Sequence, residues 1–306
     1  MCEIRDVQAI YSFMKIKGIG VVRTNRELLS YAQQLMPIGN VEDWLLSVLS
    51  SQQKEEYHLQ YESVEGLKIK SIDVLFNTVL DRSYPVSLKK LLELNAPPVL
   101  SMVGNVNLLA NKKVGFSGSR KVSEKGIAIT RDCVEQLSFD KNISIVSGYA
   151  QGVDKEAHYT ALETGGSTII VLPNGISSFY VRDELRDVWD WNRVLVISEF
   201  LPKDKWSVGR AMNRNNTIIG LCDSMVVVEA GITGGSLDAG LRTLDSGKPL
   251  FVPEYSFYPD SAKGNSLLLE KGAMGIRRNR QNSRANIRLM YEKVGVDKIN
   301  SEVSES

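Results

Sequence analysis

The chain is poor in the residues that build metal sites and disulfide frameworks. Its 306 residues include only three cysteines, Cys2, Cys133 and Cys222, and two histidines, His58 and His158. The cysteines lie far apart and match neither a disulfide framework nor a zinc-ligand spacing, which fits a reducing compartment and argues against a structural metal. No apolar run approaches the ~18 residues that a membrane-spanning helix needs. The N-terminal MCEIRDVQ has neither the basic start nor the apolar core of a signal peptide. These absences predict a cytoplasmic protein without a membrane segment. Net charge is only +1, so there is no global basic field, and affinity for a polyanion must come from a local patch. The sequence shows no nucleophile paired with a base. No catalytic constellation stands out, and neither a metal nor a cofactor is expected.

What is present is an ordinary globular composition, 43% hydrophobic and 24% charged, with length for one large domain and a smaller one. Residues 1–70 read as a helical domain without a convincing strand. Val7, Ile10, Phe13 and Met14 share one helical face, and Trp44, Leu45, Val48 and Leu49 share another. A further helical pattern runs through Leu28, Leu29 and Leu35, after the turn Ile16-Lys17-Gly18-Ile19-Gly20. That turn is a candidate helix-hairpin-helix, whose amides and lysines would meet DNA phosphates; the alternative is a sharp helical hairpin and nothing more.

From Lys113 onward short apolar runs alternate with amphipathic segments. The runs Val114–Ser117, Ile143–Ser147, Thr168–Leu172, Val194–Ser198, Met225–Glu229 and Pro249–Val252 predict strands. Glu124–Leu137, Lys155–Glu163, Val181–Trp189, Ala211–Leu221 and Ser236–Asp245 predict helices. Strands that are apolar throughout, not alternating, belong to parallel sheets covered by helices on both faces. The expected fold is therefore α/β: a doubly wound, mostly parallel, extended Rossmann-like sheet over residues 71–280, behind a small all-helical N-terminal domain. Asp81 to Asn111 reads as a connector packed on the sheet. Residues 281–306 read as a basic, then acidic, tail. Arg277, Arg278, Arg280, Arg284 and Arg288 lie around its start and SEVSES closes it; such a run suits either a solvated face or a polyanion.

Doubly wound sheets bind ligands beyond the carboxyl ends of their strands, and the glycine-rich turns fall there. They are Gly118-Ser119-Arg120, Ser147 to Gly152, Leu172-Pro173-Asn174-Gly175 and Gly231 to Ser236. Turn amides and helix N-termini favour a phosphate. Arg120 offers a fork of donors that meets phosphate bidentately, against the alternative of a salt bridge to a nearby acid. Lys155 is a phosphate neighbour or an exposed lysine, and Asp154 is a cap for the helix it precedes. Ser119, Ser123, Ser147 and Ser236 carry hydroxyls that can reach phosphate, although capping also explains Ser123 and Ser236. Gly118, Gly148, Gly152, Gly234 and Gly235 permit positive φ and leave room against the backbone. His158 reads as a packed imidazole. Glu199 and Glu229 end apolar strands, where a carboxylate is costly unless partnered; Arg214 and Arg120 are candidate partners, and a sugar hydroxyl is the other use.

The ordered series resembles the DprA or Smf family of DNA-processing proteins. It runs through Tyr84-Pro85-x-x-Leu88, Pro97-Pro98-Val99-Leu100, Gly104-Asn105, Gly118-Ser119-Arg120-x-x-Ser123-x-x-Gly126 and Val146-Ser147-Gly148-x-Ala150-x-Gly152-Val153-Asp154-x-x-Ala157-His158. It continues through Gly165-Gly166-Ser167-Thr168, Ser198-Glu199, Arg214-Asn215, Val228-Glu229-Ala230, Gly235-Ser236-Leu237, Gly247-Lys248-Pro249, Gly264-Asn265-x-Leu267-Leu268 and Gly272-Ala273. The resemblance implies an extended Rossmann-like domain that binds single-stranded DNA, loads a RecA-type recombinase during transformation and dimerises with itself. It also places Arg214 and Asn215 on the ligand face.

Departures from the pattern are specific. The family's phenylalanine and arginine-asparagine-arginine signature reads Ala211-Met212-Asn213-Arg214-Asn215-Asn216, so an aromatic and a cation are missing. Ala239 replaces a threonine, and Pro253-Glu254 stands for proline-glycine. The winged-helix domain of many relatives is not seen. A DprA-like partner of a toxic enzyme in an anti-phage module is the alternative role. The second alternative is a nucleotide N-glycoside hydrolase of LOG type, whose signature is only partly echoed in Gly231 to Ser236, with Asp238 the nearest acid.

Overall fold

The doubly wound sheet expected from the sequence is present in a computed structural model that describes residues 3–34, 39–60 and 64–295. Cys2, Leu35 and the SEVSES end lie outside the described residues. The chain opens with α1 (Ile4–Lys15), α2 (Val21–Ala32), α3 (Val41–Ser47) and α4 (Ser51–Leu59), followed by β1 (Lys68–Ile69), β2 (Ile72–Asp73), β3 (Leu75–Thr78), α5 (Val86–Leu92) and β4 (Val99–Gly104). The alternating part runs β5 (Lys112–Ser117), α6 (Glu124–Ser138), β6 (Ile143–Ser147), α7 (Val153–Glu163), β7 (Ser167–Val171) and β8 (Val194–Ser198). It continues with α8 (Val208–Leu221), β9 (Ser224–Val227), α9 (Gly235–Asp245), β10 (Leu250–Pro253), α10 (Lys263–Glu270), β11 (Met274–Ile276) and α11 (Arg288–Val294).

The sheet has nine strands in the order β11-β10-β9-β5-β6-β7-β8-β4-β3. The pairs from β11 across to β7 are parallel, and β3 lies antiparallel to β4, with Leu75 opposite Met102. The chain divides into two compact units. The first comprises Met1–Val103, Leu172–Tyr180 and Val196–Gly220; the second comprises Gly104–Val171, Val181–Leu195 and Leu221–Ser306.

In the first unit, Ile10, Tyr11, Phe13, Leu28 and Leu45 are fully buried and form the helical core. The turn between α1 and α2 has the expected shape: Gly18 takes φ +81°, Ile19 is buried, and Gly20 stands at the N-cap of α2. One of its amides is already committed, because Lys17 N donates to Glu56 Oε1 at 2.8 Å. The described part of this unit also carries strands that the sequence pattern missed. β1, within the stretch read as strand-free, and its partner β2 have two residues each, too few to show a period. β4 lies inside the expected connector; its buried run follows two prolines, which read as connector punctuation.

In the second unit, Val114, Phe116, Val134, Leu137, Ile145, Ala157, Ala161, Val226, Val228 and Phe251 form one core around β5, β6 and β9. Cys133 and Cys222 are buried free thiols, and burial pushes both pKa values up, that of Cys222 to about 12. The expected helix over Val181–Trp189 is a 3-10 segment, Asp183–Val188. Within that segment only Leu185 is buried, so a full amphipathic face has nothing to anchor it. β11, three residues long, was also absent from the predicted strands. Much of the arginine run is paired with acids: Arg277 with Glu254 (2.8 Å), Arg284 with Asp132 (2.6 Å) and Glu135 (2.7 Å), and Arg288 with Glu292 (2.9 Å).

Candidate nucleic-acid interface

The chain leaves β5 toward β6 on one side and leaves β9 toward β10 on the other, while β5 and β9 are neighbours. A reversal of this kind opens a crevice beyond the two strand ends, and the first and last glycine turns flank it. A Cβ on Gly118 would lie 2.5 Å from Val153 Cγ2 and 3.3 Å from Glu229 N, so three connections meet at that residue. Gly152 holds φ +80°, and a Cβ there would sit 2.2 Å from Ser119 O and 2.9 Å from Arg120 Cα. Val153 N donates to Ser119 O at 3.4 Å. The first and second turns are thereby in contact through backbone, and only glycine fits between them.

Arg120 is exposed, and among the described residues no acid pairs with it. Lys121 beside it is exposed too, and its amide donates to Ser119 Oγ at 3.0 Å. The salt-bridge alternative for Arg120 is therefore not found. Ser123 caps α6, accepting from Gly126 N at 3.1 Å. Its amide donates to Glu229 Oε2 at 3.0 Å, and its hydroxyl also bonds the Glu229 carboxylate.

Glu229 is fully buried. Besides Ser123 it accepts from Ser261 Oγ at 2.6 Å and from the Tyr255 hydroxyl at 3.3 Å. Three hydroxyls and one amide thus replace the arginine expected as its partner; among the described residues no cation bridges to it. Burial, and then the Glu229 charge, push the Tyr255 phenol above its ordinary value. Asn265 braces the neighbouring turn, accepting from Ala230 N and donating to Val228 O, both at 2.9 Å.

In the second turn the roles divide differently from the sequence reading. Ser147 is buried and its hydroxyl donates to Phe116 O at 2.7 Å, so that proton is already given. Gly148 O bonds His158 Nε2 at 2.6 Å, and His158 Nδ1 bonds Thr168 Oγ1 at 2.7 Å, so the histidine is the packed imidazole expected. Asp154 does not cap the helix. α7 starts at Val153 with Gly152 at its N-cap, and Asp154 Oδ2 accepts from Ala150 N at 3.1 Å, bracing the turn instead. Lys155 is half-buried, and its charge helps hold the Glu184 carboxyl below its ordinary value, after hydrogen bonds from the Glu184 backbone and Gln151. Arg182, which no local pattern singled out, stacks 4.3 Å from the centre of the Tyr149 ring and donates to Tyr149 O.

In the last turn Gly234 takes φ +106° at the N-cap of α9, and Gly235 and Ser236 are its first residues. No side chain caps this helix, which corrects the capping role considered for Ser236. Gly234 is exposed and open.

Arg214 and Asn215 belong to the first unit, on α8. Arg214 is 7% exposed, which sets it apart from the exposed Lys203 and Lys205 of the same unit. Glu199, at the end of β8, accepts the Thr217 hydroxyl and feels the Arg214 charge. The residue as a whole is partly exposed, yet its carboxyl is enclosed by protein. Burial pushes its pKa up to about 7, against the lowering pull of Thr217 and Arg214. An acid whose pKa is raised on folding binds more protons in the native state, so its stabilising contribution is present below about pH 4.5 and is lost as pH climbs through about 7. Unfolding free energies of the native chain should fall by roughly 1–3 kcal/mol across that window, and the Glu199→Gln chain should show a flatter profile. Urea melts at the two ends of the window measure it; identical profiles would remove Glu199 as the source.

The family model described as DNA recombination-mediator protein A matches residues 75–285. The DNA processing protein DprA of Streptococcus pneumoniae is 34% identical over 198 residues, covering 64% of this chain and 68% of that protein. The DNA processing protein DprA of Bacillus subtilis is 29% identical over 201 residues, covering 65% and 66%. The X-ray structure of the pneumococcal protein superposes with a TM-score of 0.72 at 28% identity, over 87% of this chain and 93% of that one. Helicobacter pylori DNA processing protein A, whose structure is described for its single-stranded DNA binding mode, matches with a TM-score of 0.56 at 27% identity, over 65% and 90%. With a family model spanning most of the sheet and an ordered set of glycine turns around one switch point, this chain belongs to the DNA recombination-mediator protein A family, the DprA or Smf proteins.

Proposed function

We propose that this chain is a cytoplasmic recombination mediator that binds single-stranded DNA by its phosphates and delivers it to a RecA-type recombinase, working as a homodimer. The observation that carries the reading is Arg120: an exposed arginine without an acid partner among the described residues, next to Lys121, on a turn fixed by Gly118 and Gly152 at the switch point. The family membership and the single-stranded DNA binding described for the Helicobacter relative support it. Phosphate contacts from Arg120, Lys121 and the Ser119 hydroxyl, with Lys155 behind them, give affinity without reading bases. Gly234, Gly235 and Ser236 complete the same rim across the crevice. Binding, not bond breaking, is the proposed activity.

The test is fluorescence anisotropy with a labelled single strand, longer than the ~4–16 nucleotides such sites occupy, against its duplex across a salt series. The single strand should win, the affinity should fall steeply with salt, and Arg120→Ala should weaken it about tenfold while lowering the salt slope by about one. A wild-type chain that stays unbound at low salt, or an Arg120→Ala chain that binds as tightly, rules the reading out.

A further inference from the structure

A second polar cleft lies in the second unit, outside the glycine turns. It encloses about 390 Å³ between α6 and the ends of β10 and β11. Ala128, Ile129, Ile276 and Ala285 give it apolar walls, joined by Tyr255. Its charged lining is Lys125, Asp132, Glu254, Arg277 and Arg278. Both acids are already matched: Glu254 by Arg277 at 2.8 Å and Asp132 by Arg284 at 2.6 Å. Lys125 and Arg278 are exposed, and among the described residues neither pairs with an acid. Arg278 Nε is tied to Ser283 O at 2.7 Å, which holds the guanidinium while its terminal nitrogens remain as donors.

Two unmatched cations on an apolar and aromatic wall describe a particular ligand. A phosphate monoester carries a charge of about −2 at neutral pH, which Lys125 and Arg278 balance, and a planar ring covers Ile129, Ile276 and Tyr255. The volume falls in the ~300–1,000 Å³ range of small-molecule pockets and holds one nucleotide, not a length of polymer. We propose that this cleft binds a nucleoside 5′-monophosphate, either free or as the 5′-phosphorylated end of a strand. The inference stands apart from the DNA reading of the Arg120 face, because it uses none of the same residues.

Isothermal titration of the full chain with AMP, adenosine and inorganic phosphate tests it. AMP should bind, with adenosine and phosphate each at least about tenfold weaker, since each keeps only half of the contacts. Lys125→Ala and Arg278→Ala should each weaken AMP by about fivefold or more. Ala128→Trp, on the exposed side of α6, should fill the cleft and abolish AMP binding without changing the affinity for a 5′-hydroxyl strand measured by anisotropy. Comparing that strand with its 5′-phosphorylated form separates the sources: a preference for the phosphorylated end assigns strand ends, and equal binding assigns the free nucleotide. No AMP binding at millimolar concentration overturns the proposal. So does AMP binding that survives all three substitutions and falls with Arg120→Ala, because the nucleotide would then occupy the turn face.

Discussion

A Gly152→Val chain is expected to lose about 3 kcal/mol or more of stability, and its single-stranded DNA binding with it. Two independent costs add. At φ +80° an L residue sits in the left-handed region, a penalty of roughly 1–2 kcal/mol. The new Cβ would also stand 2.2 Å from Ser119 O and 2.9 Å from Arg120 Cα, and both are backbone atoms that cannot swing aside. Relief requires moving the first turn, and moving that turn displaces Arg120. Gly234→Val is the matched control: φ is +106°, but nothing lies within 4 Å of the added carbon. It should cost only the conformational penalty of roughly 1–2 kcal/mol. Urea midpoints at constant slope report the difference. Equal losses in the two variants would mean that conformation alone, and not contact between the turns, sets the requirement at Gly152.

The second large effect is expected at Glu229. Glu229→Ala deletes a fully buried acceptor of one amide and three hydroxyls. Stranding buried donors costs about 1–3 kcal/mol for each that finds no new partner, and the hydroxyls can turn toward other acceptors while the Ser123 amide cannot. The Ser123 amide alone then costs about 1–3 kcal/mol, and each hydroxyl that stays unpaired adds to that loss. Glu229→Gln should fall between, because its amide keeps one acceptor oxygen but turns two donors on hydroxyls that had been donating to the carboxylate. Hydrogen exchange gives a local readout: the Gly126 amide, which the Ser123 hydroxyl accepts, should exchange faster in both variants. Unchanged protection there with a large global loss would place the damage elsewhere than the start of α6.

How much of this was legible in the sequence depends on the range of the interaction. β5, β6, β7, β8, β9 and β10 read directly as apolar runs, because burial on both faces removes the polar alternation that marks other strands. β4 is buried along most of its length too, yet Pro97-Pro98 before it and Gly104-Asn105 at its end read as a connector. β1, β2 and β11 are too short for periodicity to register. Glycine turns were legible because strand, turn and helix start follow one another within a few residues. The partners of Glu229 were not, since Ser261 and Tyr255 are separated from it by 32 and 26 residues and Ser123 by 106. Arg214 was placed on the ligand face by family resemblance; that it is 7% exposed and that its charge reaches Glu199 no local pattern could show. The capping role of Asp154 was misread because a carboxylate near a helix start looks alike in sequence whichever backbone group it meets.

The two deeply buried thiols make the molecule convenient to watch. Cys133 and Cys222 are held in their unreactive protonated form by burial, so maleimide dyes and peroxide both pass them by. In a Cys2→Ser background, a Lys121→Cys substitution would carry a fluorophore beside Arg120 with no competing label inside the sheet. Such a chain would report in real time whether a strand, as proposed, occupies the turn.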